Sequence, residues 1–250
     1  MISTPSRNLA LFDLDGTLLP WDTQLLFSNY ILRLYPWRRL LLLPFLCCIP
    51  LAILQLLNDA RMKRIFLSYL WKLKKENLNQ IAKTFAAELL ATQFYPELIE
   101  RIAQHKKSGD LCILTTASPS IYSNQIGSIL GFDEVYATDI MIGDSMNFYP
   151  NLTSGNNKGQ RKVDRLTKSG IIYPGQNDLL ITAYSDSSAD IPMLLCANRR
   201  VLINPSQKLV KIFPIASCEV LRPIRPWKTR TQKILYLGKQ FCGLWRNKNK

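Results

Sequence analysis

The sequence predicts an α/β fold, a parallel sheet core with a helical cap inserted after its first strand. Two observations predict it. Four short apolar runs, residues 8–12, 111–114, 180–184 and 201–203, each end in small polar residues, the pattern of buried parallel strands whose carboxyl ends form a site. Roughly 90 residues between the first two runs carry the 3.6-residue period of helices, too many for a simple crossover. The composition agrees. A chain of 250 residues, 47% hydrophobic and 20% charged, can bury a core, and 11 Gly with 14 Pro exclude collagen-like and low-complexity classes.

The elements follow in order. Residues 1–8 are polar with a single Arg and predict no signal peptide. The first strand, 8–12, runs into the loop Asp13-Leu14-Asp15-Gly16-Thr17. Helix 24–34 has apolar residues at 26, 27, 30, 31 and 34, helix 60–73 at 62, 65, 66, 69, 70 and 73, and helix 78–90 at 78, 81, 82, 85, 89 and 90. Between the first two lies the uncharged run 40–57, at the lower length limit of a membrane-spanning helix, with Arg38 and Arg39 before it and Arg61, Lys63 and Arg64 after. Pro44 and Pro50 predict breaks in it. Strand 111–114 leads into Thr115-Thr116-Ala117-Ser118-Pro119, strand 180–184 into Ser185-Asp186-Ser187, and strand 201–203 into Asn204-Pro205. Residues 143–161 read as a polar loop or hairpin, and Gly143-Asp144-Ser145 within it imitates a catalytic turn without a buried strand before it. After Glu219 there is no acid but nine basic residues, and Ile234, Leu237, Phe241, Leu244 and Trp245 recur at helical spacing. That is a basic amphipathic helix of the interfacial kind.

Lys and Arg number 32 against 18 Asp and Glu, a net charge of +14, which favours anionic partners: nucleic acid, an acidic lipid surface or a phosphorylated substrate. Aromatic and basic residues do not interleave as on single-strand-binding sheets, which disfavours nucleic acid. Six cysteines without a CxxC pair and one histidine, His105, exclude a Cys/His zinc site and fit a reducing compartment. His105 itself reads as a surface or cap residue. The strongest chemical signal is Asp13 with Asp15. Two carboxylates one residue apart at a strand end repel each other, and a cation offsets that most simply.

The DLDGTL stretch resembles the signature of the haloacid-dehalogenase-like hydrolases. Thr116 in ILTTASP, Lys162 in GQRKVDRL, and Asp186 and Asp190 in YSDSSADIPML match the family's later motifs in chain order. Thr115 is the alternative to Thr116; the TASP register favours Thr116. The resemblance implies a Rossmann-like core over 1–20 and 106–220, and the residue patterns add a helical cap over 21–105 with an apolar hairpin at 40–57 and a basic amphipathic tail over 221–250. It implies a phosphatase in which Asp13 attacks phosphorus and Asp15 acts as acid, then base. Thr116 and Lys162 hold the phosphate. Asp13, the Asp15 carbonyl and Asp186 hold Mg²⁺, with Asp190 supporting them or sharing the ion through water. Arg161 adds a positive charge near the site. Tyr184-Ser185 before Asp186 is similar to the phosphoserine-phosphatase-like branch.

The segment from Asn29 to Leu57 and the YSDSSADIPML and NPSQKL stretches also look like bacterial phosphatidylglycerophosphatase C. That family removes the terminal phosphate of phosphatidylglycerophosphate. The resemblance implies the cytoplasmic face of the bacterial inner membrane, with an anionic lipid surface as partner; the cytoplasm is the alternative. Asp13 precedes the run 40–57 and the other motif residues follow it, so a single crossing there would separate them. A re-entrant or interfacial hairpin remains, or two helices buried in the cap. Two other functions stay open. One is a soluble phosphatase for phosphoserine or another small phosphate, to which Glu76, Arg61 or Arg64 could offer polar contacts. The other is a non-enzymatic membrane or nucleic-acid binding protein. Nothing in the sequence specifies an oligomeric state.

Overall fold

A computed structural model describes residues 8–173 and 179–246. The first residues of the expected core, 1–7, and the last of the expected tail, 247–250, lie outside the described residues, as do 174–178. Strands β1 (Leu9–Phe12), β2 (Leu111–Pro119), β3 (Glu134–Thr138), β4 (Ile181–Ser185), β5 (Arg199–Ile203) and β6 (Glu219–Leu221) form one parallel sheet in the order β3-β2-β1-β4-β5-β6. All of β1 is buried, as a strand covered by helices on both faces must be. Phe12 stands level with Leu114 on one side and Tyr184 on the other. The residues that follow each strand therefore emerge together at one edge. Chain order departs to both sides of β1, which makes this edge the topological switch point where ligands bind.

The cap consists of α1 (Thr23–Leu34), a 3-10 turn (Pro36–Leu42), α2 (Leu43–Ile53), α3 (Asp59–Phe66) and α4 (Lys75–Thr92). The core helices are α5 (Pro96–Lys107), α6 (Ser120–Leu130), α7 (Gln160–Lys168), α8 (Ile191–Leu195) and α9 (Gln207–Ile212), and α10 (Arg230–Phe241) closes the chain. Side chains that accept from the first turn start several of them: Asp22 caps α1, Asn58 caps α3 and Thr229 caps α10. Cap and core share one apolar cluster, in which Tyr122 of α6 meets Phe27 at 4.8 Å and Phe85 at 5.6 Å.

Five expectations need correction. Strands β3 and β6 are additional; both are short and carry exposed Glu at their starts, which hides them from a search for apolar runs. The cap ends near residue 95, because α5 packs on the sheet: His105 lies edge-on to Phe12 at 6.0 Å. Its ring nitrogens meet Asp110 at 2.7 Å and the Tyr184 hydroxyl at 2.8 Å, so His105 belongs to the core wall and neither to the cap nor to open surface. The run 40–57 is no hairpin by itself. Pro44 occupies the first turn of α2, where a missing N–H is harmless, and the chain reverses only at 54–58, where Gln55 takes φ 59°. The partner arm is α3. Nor is the run cap core beyond Leu42 and the contact of Phe45: no residue of α2 is buried, and Leu40, Ile53 and Leu54 are 66%, 75% and 67% exposed. By length and composition alone, Pro36–Ile53 could cross a membrane.

The expected tail helix, whose apolar spacing runs on to Trp245, stops at Phe241. Gly243, at φ 68°, brings the backbone onto α1 so closely that a Cβ there would stand 2.5 Å from Leu32 Cβ. Trp245 then docks on Asn29 by two hydrogen bonds, 3.2 and 3.0 Å.

Candidate active site

At the carboxyl edge of the sheet, Asp13 follows β1, Asp186 follows β4, and Lys162 reaches in from the first turn of α7. Lys162 Nζ donates to Asp13 Oδ1 at 2.6 Å and to an Asp190 oxygen at 2.9 Å, and the side chain is only 2% exposed. Ser185 Oγ donates to Asp190 at 2.8 Å, which fixes that carboxylate behind the lysine. Thr17 Oγ1 lies 3.1 Å from Asp13 Oδ2 and 3.3 Å from Asp186 Oδ1, and it accepts the Asp186 N–H at 3.1 Å. Gly16 is required here: its φ is 81°, and a Cβ would stand 2.2 Å from Asp186 Oδ2.

Asp15 faces the cap. Its Oδ1 accepts the Thr23 N–H at 2.6 Å and its Oδ2 the Ser118 hydroxyl at 2.5 Å. Thr23 and Ser118 share a further bond of 2.9 Å. Both threonines proposed for phosphate binding are fully buried. Thr116 Oγ1 accepts the Ser118 N–H at 3.0 Å, while Thr115 Oγ1 faces the Asn157 amide at 3.4 Å. The cleft wall itself is Ala117 and Ser118, with Thr116 beneath them.

Burial and neighbouring carboxylates set the charge states. Asp13 is pushed up to about 7, first by burial, with Asp190 and Asp15 adding to it and Lys162 opposing. Asp186 is pushed to about 7 by burial and by Asp13, and Asp15 to about 6 by burial and by Asp22. Burial works against the Lys162 charge, yet Asp13 and Asp190 hold its ammonium above the usual lysine range. Among the described residues no group of three or more His, Cys, Asp or Glu converges as a ready metal cage. The carboxylates of Asp13 and Asp186, with main-chain oxygen and water, are nonetheless an oxygen set suited to a hard divalent cation. The surplus of buried carboxylate over the lone Lys162 ammonium is what such a cation would relieve.

The cleft of about 570 Å³ above these groups is closed by the cap and the tail. Met62, Lys63 and Phe66 enter from α3, Phe45 from α2 and Phe241 from α10. Lys63 Nζ donates to the Ala117 carbonyl at 2.5 Å and to Asn156 Oδ1 at 2.8 Å, and burial lowers it to about 8. Arg61 and Glu76 do not line this cleft, and Arg64 is held at the Pro150 carbonyl, 2.7 Å away. Arg161 is also turned elsewhere, toward the Ser154 carbonyl. Residues 143–146 pair with residues 72–75 at the start of α4, Lys75 N donating to the Asp144 carbonyl at 3.0 Å, and stay out of the cleft. The sequence reading omitted Thr17, Ser118, Thr23, Asp22 and Lys63. Thr17 and Ser118 stand inside the quoted motifs, whereas nothing local marks Lys63.

Residues 10–195 match the family model described as haloacid dehalogenase-like hydrolase. A relative from Streptomyces azureus, named inhibition of morphological differentiation protein, is 27% identical over 81% of this chain and 74% of its own. A histidinol-phosphatase from Neisseria meningitidis serogroup C is 22% identical over 82% and 94%. A protein of unknown function from Bordetella pertussis superposes with TM-score 0.72 at 24% identity, covering 86% of this chain and 98% of that one. A probable phosphoserine phosphatase from Vibrio cholerae superposes with TM-score 0.62 at 16% identity, covering 96% and 64%. The family model spans most of the chain, which belongs to the haloacid dehalogenase-like hydrolases, an enzyme with the fold of their phosphoserine-phosphatase-like members.

Proposed function

We propose that this hydrolase is a Mg²⁺-dependent phosphomonoesterase that works through an aspartyl-phosphate on Asp13 and acts on phosphatidylglycerophosphate at the cytoplasmic face of the bacterial inner membrane. One observation carries the lipid assignment. The cleft that holds Asp13, Asp15 and Lys162 continues into an apolar wall of Leu25, Phe45, Met62, Phe66 and Phe241, and Phe45 belongs to the exposed apolar helix α2. A phosphate joined to an apolar body fits both halves.

Asp13 Oδ attacks phosphorus, and the bond to the leaving oxygen breaks as Asp15 delivers its proton. Raised to about 6, Asp15 can both hold that proton and release it near neutral pH. Asp15 then takes a proton from the water that cleaves the aspartyl-phosphate. Lys162 opposes protonation of Asp13, and Asp190 keeps Lys162 in place. Thr116 does not line the cleft; its oxygen accepts the Ser118 N–H and so shapes the Ala117–Ser118 wall against which a phosphoryl oxygen would rest. Held by Asp13, Asp186 and the Asp15 carbonyl, Mg²⁺ would neutralise charge on the phosphoryl oxygens.

A second reading has its own support. Asp22 and Lys63 line the cleft and could hold the ammonium and carboxylate of a small amino-acid phosphate. Phosphate release from phosphatidylglycerophosphate, phosphatidic acid, phosphoserine and histidinol phosphate, with and without Mg²⁺, separates the two. The lipid reading expects the first to be turned over best, with no release in chelator. Preference for phosphoserine or histidinol phosphate selects the second.

A further inference from the structure

We propose that a second cleft, at the cap hinge, binds an acidic phospholipid and couples it to the cap. The chain passes between core and cap twice, once after Leu19 and once before Pro96. Trp21 of the first linker donates from Nε1 to Gln93 Oε1 of the second at 2.6 Å, which ties the two together. The C-terminal segment lies across this knot. Trp227, Tyr236 and Trp245 surround the Trp21 ring at 5.0, 5.9 and 5.4 Å. The same segment is fastened to the cap, where Arg39 Nε donates to the Cys242 carbonyl at 2.9 Å and Asn29 pairs with Trp245. One piece of chain thus holds both linkers and the body they move.

Between that segment and the linkers opens a cleft of about 690 Å³. Trp21, Tyr236 and Trp245 give it aromatic walls, Arg225, Lys239 and Arg246 give it positive charge, and no acidic residue lines it. Lys239 and Arg246 enter no ion pair among the described residues. Unpaired cations beside aromatic faces suit an anion that carries an apolar body. Ile224 and Leu244 at the lining are 92% and 61% exposed, and Ile234 and Leu235 of α10 are also exposed nearby, so acyl chains would find apolar surface leading out. The occupant is therefore the headgroup and upper chains of an acidic phospholipid. Its binding would load both linkers and shift the balance of cap positions over the Asp13 cleft.

This goes beyond the proposed substrate and does not depend on it. Trp21 and Trp245 line the cleft and Trp227 packs at a tilt against Trp21, so intrinsic tryptophan fluorescence reports on it directly. The probe is a short-chain phosphatidylserine kept below its micelle concentration, a diester that a monoesterase leaves intact. Wild type should give a saturable fluorescence change that short-chain phosphatidylcholine does not. At saturation kcat or KM for p-nitrophenyl phosphate should shift by about twofold or more. In the double variant Lys239→Glu with Arg246→Glu, binding should weaken by about tenfold or more, and the ratio of rates with and without lipid should fall to unity. No saturable change, an equal response to phosphatidylcholine, or full retention in the double variant overturns the proposal. Equal competition by inorganic phosphate also overturns it, by making the cleft a site for free anions. Failure to hydrolyse phosphatidylglycerophosphate would defeat the proposed substrate and leave this fluorescence result standing.

Discussion

Replacing Lys162 by Met tests how the site is held together. The ammonium is buried, 2.6 Å from Asp13 and 2.9 Å from Asp190, while Met matches its length without charge. Removing one partner of a buried ion pair typically costs about 3–5 kcal/mol, because the other charge is left without compensation. For a chain of this size about 2–4 °C of Tm accompanies each kcal/mol, so a drop of about 6–20 °C is expected in chelator. Mg²⁺ at about 100 times its Kd would return roughly 2.7 kcal/mol if the orphaned carboxylates gather it. The variant should therefore gain more from Mg²⁺ than wild type does. Turnover should fall on the order of 100-fold or more even with Mg²⁺, since the positive group facing the phosphoryl oxygens is gone. Thermal unfolding by circular dichroism in EDTA and in Mg²⁺ reads the first two effects, and phosphate release reads the third. A Tm change under about 2 °C in EDTA would show that Lys162 does not compensate the pair and would refute the reasoning.

Asp13→Asn should keep the fold, checked by circular dichroism, and lose nearly all turnover because the attacking anion is gone; near-native release of phosphate would defeat the aspartyl-phosphate route. Asp186→Asn should raise the Mg²⁺ concentration needed for half-maximal rate by about tenfold or more, measured by metal titration, while a saturating rate is partly retained. Lys63, lowered by burial to about 8 with Asp15 and Asp22 pulling the other way, should lose its proton as pH rises through 8. KM for an anionic phosphate should then climb between pH 7 and 9, and Lys63→Arg should flatten that climb; the folded chain binds fewer protons than the unfolded chain from about pH 8 to 10.5, so this residue's contribution to stability increases with pH there. Charge reversal at Lys228, Arg230 and Lys233 should weaken binding to anionic vesicles, mainly at low salt, and sedimentation with such vesicles unchanged by the triple variant would remove the start of α10 from contact with a charged lipid surface.

The strand ends were legible because a strand buried on both faces must be a run of apolar residues, and β1 is that throughout. Asp13 and Asp186 were legible because each directly follows a buried apolar strand, and Lys162 and Asp190 only through the resemblance to the hydrolase motifs; the four meet within hydrogen-bonding distance or through Thr17. Other features depended on tertiary context. Strand β3 pairs on one side only and begins at exposed Glu134, so its pattern is no different from a loop's. Lys63 sits in a helix whose sequence reads as an ordinary basic surface, and only the fold brings it to Ala117. The run 40–57 shows the reverse failure. Residue type alone makes Pro44 and Pro50 breaks, but position decides their effect: Pro44 at a helix start is favourable, and Pro50 is carried inside the last turn of α2.

Charge is distributed in two tiers. The whole chain carries +14, yet the Asp13 cleft is lined by Asp13, Asp15, Asp22, Asp59 and Asp190 against Lys63, Lys158 and Lys162. Fully ionised, that lining has an excess of two negative charges, and Asp186 at its floor makes it three. The outer surface can draw an anion from several ångströms away, over about one Debye length. Inside, the same anion would meet repulsion. Protonating Asp15 for its role as acid removes one negative charge, and a dication removes the remaining two. Only then is the lining neutral toward an arriving phosphate. The proton on Asp15 and the metal are thus linked: whatever weakens the cation at Asp13 and Asp186 should raise Asp15 further and slow the step in which it must give up its proton to become a base. Activity lost in Asp186→Asn should accordingly be recovered partly by raising pH as well as by adding Mg²⁺, and recovery by Mg²⁺ alone would show that the two carboxylates titrate independently.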